Sequence, residues 1–158
     1  MKGLIWKELP RGYFTNMKDV FALMNNKQKK YNWLITDYEC NHYPSKIIQP
    51  DKKYLFIDGS SLTTVIEEND IQFIWGVFTG FKQEIELEEI LHESLPYANE
   101  NVALWKRDNV TIQNSLADIE IISWDSSLLL LLAKSNQMID DLMKLSPKCK
   151  DLLDYNLK

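Results

Sequence analysis

Several side chains have the residue types of an acid–base catalytic site. Asp37, Glu39 and His42 lie close together in the sequence, on a segment that ends in a predicted loop. A histidine beside carboxylates can transfer protons at neutral pH, and catalytic groups are often carried on loops. A small hydrolase is therefore one hypothesis for this chain, with Asp58 or Asp125 as a supporting carboxylate. One histidine near two acids also arises readily by chance.

Two acid–serine stretches could be catalytic, but the sequence favours a structural role for both. Asp58, Gly59 and Ser60 follow the apolar segment YLFID and resemble half of the phosphatase signature of the haloacid dehalogenase superfamily. That signature needs a nucleophilic aspartate two residues earlier, where this chain has Phe56, so the covalent step has no nucleophile. The second stretch, 125–127, has no nearby base. Both stretches are typical of turns.

Metal and cofactor sites are not predicted. The residues that would have to bind a metal are Cys40, His42, His92 and Cys149, and their spacing does not match the usual zinc patterns. Two cysteines are also too few for a disulfide framework. The chain has no phosphate-binding loop, nucleophile elbow or dinucleotide fingerprint, so we expect no cofactor.

The charge of the chain is unevenly distributed. Residues 1–53 carry ten Lys/Arg and five Asp/Glu, whereas residues 54–105 carry ten Asp/Glu and one lysine. The net charge of −5 disfavours nucleic acid as a partner, because such binding depends on neutralising phosphates. From Gln83 to Trp105 there are six glutamates and no lysine or arginine. This acidic segment is the least ordinary feature of the sequence.

The acidic segment predicts either a solvated helix or a docking face. Glu84, Glu88 and Glu93 would share the solvent side of an amphipathic helix. Like-sign charge on one face accelerates encounter with a partner of opposite charge. Tyr97 and Trp105 follow, and both residue types are enriched in binding hot spots. We therefore name these five residues as candidate contacts with a basic protein.

Apolar patterns predict the elements that position these side chains. Alternating or continuous apolar segments predict strands, and apolar residues at helical spacing predict helices. Ser135 is a predicted helix N-cap, and Pro10 and Gly12 are predicted to stop the first strand. The predicted strands are 2–9, 31–39, 54–58, 71–81, 101–106 paired with 110–113, and 119–124 paired with 128–133, and the main predicted helices are 17–24, 87–95 and 136–145.

The order of these elements predicts an α+β fold. Strands cluster late and in hairpins, without a regular βαβ alternation. We expect a single domain, 1–158, with a mostly antiparallel sheet of about five to seven strands and three to four helices packed mainly on one face. The longest apolar run, Leu128–Ala133, is too short to span a bilayer, and no signal peptide is evident. We therefore expect a cytoplasmic protein without a membrane partner.

Four aromatic-rich segments support a wider resemblance. YNWLITDYE, FIWGVFTGF, LPYANEN and IEIISWDSS occur in that order and resemble segments of a small family of uncharacterised proteins from Gram-positive bacteria. The resemblance implies a cytoplasmic bacterial protein and brings no catalytic residues. The sequence thus favours a non-catalytic interaction protein of the immunity or inhibitor type, with the hydrolase as the alternative. A subunit of a homo-oligomer is a third hypothesis.

Overall fold

A seven-stranded antiparallel sheet forms the centre of the computed structural model, which describes residues 1–7, 15–44 and 47–158. The strands are β1 (Lys2–Trp6), β2 (Tyr31–Cys40), β3 (Tyr54–Asp58), β4 (Phe73–Lys82), β5 (Ile119–Trp124), β6 (Leu128–Ala133) and β7 (Lys150–Asp151). Their spatial order is β3-β2-β4-β5-β6-β1-β7, and each neighbouring pair is antiparallel.

Helices cover the sheet on both sides, with the longest ones on one face. Within the described ranges they are α1 (Met17–Leu23), α2 (Gly59–Glu68), α3 (Leu87–Ile90), α4 (Asn136–Leu145) and α5 (Leu152–Asn156). Helices α1, α2 and α4 pack on the face that carries Trp33, Phe78 and Leu131. The predicted α+β class and mostly antiparallel sheet are confirmed. No helix in these ranges is long and apolar enough to cross a membrane.

The hairpin of β5 and β6 forms as predicted. Both strands are almost entirely buried, with alternate residues contributing to the two cores, which explains why both sides of each strand are apolar. Asp125 and Ser126 adopt positive φ angles of 45° and 56° and reverse the chain. The predicted cap of α4 is also confirmed, since the Ser135 side chain accepts a hydrogen bond from the Met138 N–H.

Two predictions for the segment 87–113 are wrong. The stripe predicted to be helical over 87–95 is an α-helix only over Leu87–Ile90, and the predicted pairing of 101–106 with 110–113 does not form. Leu104, Val110 and Ile112 are instead buried against the sheet from a short 3-10 helix and irregular backbone. Tertiary burial of these side chains overrides their strand propensity. The predicted strand stop at Pro10 and Gly12 lies outside the described residues.

A long connection joins two strands that are direct neighbours. Gly80 of β4 pairs with Ile119 of β5, a geometry that ordinary hairpins close with about 2–5 residues. Here the chain instead uses residues 83–118, which we call the acidic excursion. It covers the second face of the sheet, where its buried side chains meet Leu34, Val77 and Leu130.

Candidate functional site

The most exposed apolar side chains of the acidic excursion lie on one turn. Tyr97 is 51% exposed and Val102 is 78% exposed, and we call residues 97–102 the Tyr97 turn. Ala98 and Asn101, between them, are buried, and Glu100 has a positive φ of 61°. The turn therefore presents apolar side chains to solvent from a base that is packed against the protein.

Strand β2 holds one side of this turn. The hydroxyl of Thr36 donates to the Pro96 carbonyl at 2.6 Å, and Oδ2 of Asp37 accepts from the N–H groups of Ala98 (2.7 Å) and Asn99 (2.8 Å). The β2–β4 register shifts between Thr36 and Glu39, and Asp37 has a φ of 46°. A bulge of this kind redirects a side chain, here toward the turn. Asp37 thus has a structural role.

Gln113 holds the other side. Its Oε1 accepts from the Tyr97 N–H at 2.9 Å and from Nδ2 of Asn101 at 3.1 Å. Asn101 closes the turn internally, since its Nδ2 also donates to the Tyr97 carbonyl and its Oδ1 accepts from the Ala103 N–H. Both amide side chains therefore stabilise the same exposed turn.

A buried carboxyl group orients Gln113. Glu120 on β5 is fully buried and accepts hydrogen bonds from the Gln113 N–H (3.1 Å) and Nε2 (3.2 Å). Its neighbours on β4 and β6 are Thr79 and Leu132, neither of which is charged. Burial raises the pKa of Glu120 to about 7, because desolvation disfavours the charged carboxylate. Since Nε2 donates to Glu120, Oε1 must face the turn.

Sequence reasoning missed Gln113 and Glu120. The available signal was a single charged residue, Glu120, inside the buried strand Ile119–Trp124, a position where a charge is costly unless it is paired or hydrogen-bonded. Gln113 carries no such signal, because an isolated glutamine in an irregular segment is common. Its importance depends on a contact with Glu120 that only the folded chain reveals.

The candidate glutamates have different surroundings. Glu84 and Glu88 are exposed, whereas Glu93 accepts hydrogen bonds from both the N–H and the hydroxyl of Ser115. These bonds lower the pKa of Glu93. The three do not lie on one helix, because Glu84 precedes α3 and Glu93 follows it. Glu84 and Glu88 remain available to a partner, and Glu93 anchors the excursion internally.

Trp105 belongs to a separate aromatic cluster. Its ring centroid lies 4.9 Å from that of Trp124 and 6.3 Å from that of Tyr155, and Trp124 in turn meets Trp75 at 5.0 Å. Edge-on and tilted packing of this kind stabilises aromatic groups. All four rings are half-buried. Trp105 therefore packs against the sheet and α5.

The residues of the hydrolase hypothesis do not converge on one pocket. Asp58 caps α2 by accepting from the Ser61 N–H at 2.9 Å, and hydrogen bonds from Ser61 lower its pKa. It lies opposite Asn32, while Glu39 lies seven residues further along β2. That separation is about 23 Å in an extended strand. Asp37 is already hydrogen-bonded to the Tyr97 turn, so this arrangement gives the hypothesis no support.

The residue types that can bind a metal are also dispersed. Among the described residues, no three His, Cys, Asp or Glu side chains are grouped as metal ligands would be. Cys40 and Cys149 are buried free thiols, and burial raises the pKa of Cys40 to about 12. His42 and His92 are exposed, and Asp125 lies in the turn of the β5–β6 hairpin.

No protein-family model matches the chain, and neither a curated protein nor a solved structure shows significant similarity to it.

Proposed function

We propose that this chain is a non-catalytic protein-interaction domain that binds a basic partner through the Tyr97 turn and the exposed glutamates of the acidic excursion. The exposure of Tyr97 and Val102 on a turn held by several hydrogen bonds is the observation that supports the proposal. A turn that is already ordered loses little conformational entropy when it binds, so its exposed apolar area contributes efficiently to affinity.

The charge of the acidic excursion supports a basic partner. Glu84, Glu88 and Glu100 are exposed, and no lysine or arginine occurs between Gln83 and Trp105. This charge accelerates encounter with a positively charged surface and disfavours anionic partners. An inhibitor or immunity protein of a basic target combines these two properties, an acidic flank and a rigid aromatic contact.

The proposal also includes a reducing cytoplasmic location. Cys40 and Cys149 are both free and buried, an arrangement that suits a compartment in which thiols stay reduced. The resemblance of the aromatic-rich segments to Gram-positive bacterial proteins agrees with that location.

Affinity capture from a lysate of the source organism tests the binding surface. The baits are the wild type, a Tyr97→Ala/Val102→Ala variant, a Glu84→Lys/Glu88→Lys variant, and Leu145→Ala as a control. Leu145 is 62% exposed but lies on α4, on the opposite face of the sheet. We expect a basic protein that the wild type and the control retain, that both turn and charge variants lose, and that salt releases. Equal capture by all four baits would contradict the proposal.

A further inference from the structure

Strand β3 leaves one edge of the sheet open. It is the terminal strand and pairs only with β2, and among the described residues no backbone hydrogen bond reaches its outer side. The four residues 54–57 are apolar or aromatic and half-buried. Natural proteins usually block such an edge with proline, a bulge or an inward-facing charge, and this strand has none of these over those four positions.

A broad groove follows this edge. Its volume is about 780 Å³. Its lining includes Tyr38, Tyr54, Phe56 and Leu87, and it is open to solvent. The edge therefore combines unpaired backbone groups with apolar surface, the two features that strand addition uses.

We propose that β3 pairs antiparallel with β3 of a second copy of this chain, around a two-fold axis at Phe56. The two sheets then become one continuous sheet. Phe56 opposes Phe56 of the partner subunit, and Leu55 opposes Ile57 of the partner subunit. Such an interface is isologous, with the same surface used by both copies.

The charges at the two ends of β3 favour a second copy of this chain as the binding partner. Lys52 and Lys53 precede the strand and Asp58 ends it, with Asp51 one position further out. With the two-fold axis at Phe56, Asp58 opposes Tyr54 of the partner subunit and has Lys52 of the partner subunit as its diagonal neighbour on the same face. In-register parallel pairing would instead bring like charges together. The edge is thus self-complementary in the antiparallel orientation. This inference is independent of the proposed binding role of the Tyr97 turn.

Cysteine cross-linking tests the register directly. Opposed residues in an antiparallel pair have Cα atoms about 4.5–5.5 Å apart, within the range of a disulfide. We therefore expect Phe56→Cys to form a covalent dimer on mild oxidation. Tyr54→Cys is the matched control, because two copies of residue 54 would lie about 13 Å apart along the strands. Circular dichroism checks that both variants fold.

The mass of the unmodified protein provides a second, independent measurement. We expect light scattering to show a dimer whose fraction rises with concentration and falls in a Lys52→Glu/Lys53→Glu variant. A Lys106→Glu control changes charge at an exposed site in the acidic excursion and should leave the dimer intact. A wild type that stays monomeric at every concentration, or equal cross-linking of residues 54 and 56, would overturn the proposal.

Discussion

Nε2 of Gln113 donates to the carboxyl group of Glu120 at 3.2 Å, while Oε1 of the same side chain accepts from the Tyr97 N–H at 2.9 Å. A single amide therefore joins a buried position in the sheet to the exposed turn that we propose as the binding surface. Because the two ends of an amide differ in hydrogen-bonding character, the orientation set by Glu120 determines the contact made with Tyr97.

The stability of the fold should decrease as pH rises toward neutral. The pKa of Glu120 is about 7 in the folded protein and 4.5 ordinarily, so the native state binds the additional proton between these values. Protonation of Glu120 therefore adds about 3 kcal/mol to the free energy of unfolding below about pH 4.5. This contribution is lost as the pH rises through 7. Urea unfolding across this range measures the change.

Glu120→Gln should remove most of that pH dependence, because the amide does not titrate. Glu93→Gln is the control: the pKa of Glu93 is lowered, so its contribution changes at acidic pH rather than near neutral. An unchanged slope in Glu120→Gln would show that another group is responsible.

Gln113→Ala should loosen the Tyr97 turn. The substitution removes the acceptor for Tyr97 and Asn101 and leaves Glu120 with one donor fewer, at a cost of about 1–3 kcal/mol. Hydrogen exchange of the Tyr97 amide should accelerate. Gln83→Ala is the control, since its side-chain hydrogen bond to Lys29 is long (3.4 Å) and exposed. Equal exchange in both variants would contradict the assigned role.

Asp37→Ala should destabilise the protein more than Asp37→Asn. Both substitutions remove the charge-assisted hydrogen bonds to Ala98 and Asn99. One hydrogen bond to a charged group contributes about 1.5–3 kcal/mol. Asparagine tolerates the φ of 46° at this position and keeps an acceptor oxygen, whereas alanine does neither. Thermal unfolding of the two variants provides the comparison, and identical midpoints would count against a structural role for the acceptor oxygen at this position.

Gly59→Ala should be severely destabilising, by about 3 kcal/mol or more. A Cβ atom there would collide with the Gln28 carbonyl oxygen and lie 2.7 Å from the Tyr31 carbonyl oxygen, and backbone atoms cannot easily move away. Gly76→Ala is the control, because its nearest contact is a Phe73 side-chain atom at 3.3 Å. Chemical denaturation distinguishes the two, and a mild effect at Gly59 would contradict this account of the Asp-Gly-Ser motif.

Sequence reasoning was effective where local pattern and tertiary environment agree. The β5–β6 hairpin follows from two apolar runs separated by Asp125 and Ser126, and α4 follows from Ser135 and an apolar stripe. It failed in the acidic excursion, where the backbone is determined by contacts such as Asp37 with Ala98, far apart in sequence. Local propensity contains no information about such contacts.

The acidic excursion also has a consequence for how the chain can diversify. Loop-closure entropy grows only with the logarithm of loop length, at about 0.6 kcal/mol for each doubling. Joining β4 to β5 through residues 83–118 therefore costs only about 2 kcal/mol more than a tight hairpin would. The strand register depends on Gly80 and Ile119, at the base of this segment. Substitutions of its exposed side chains, Tyr97 and Val102, can therefore accumulate while the sheet stays unchanged.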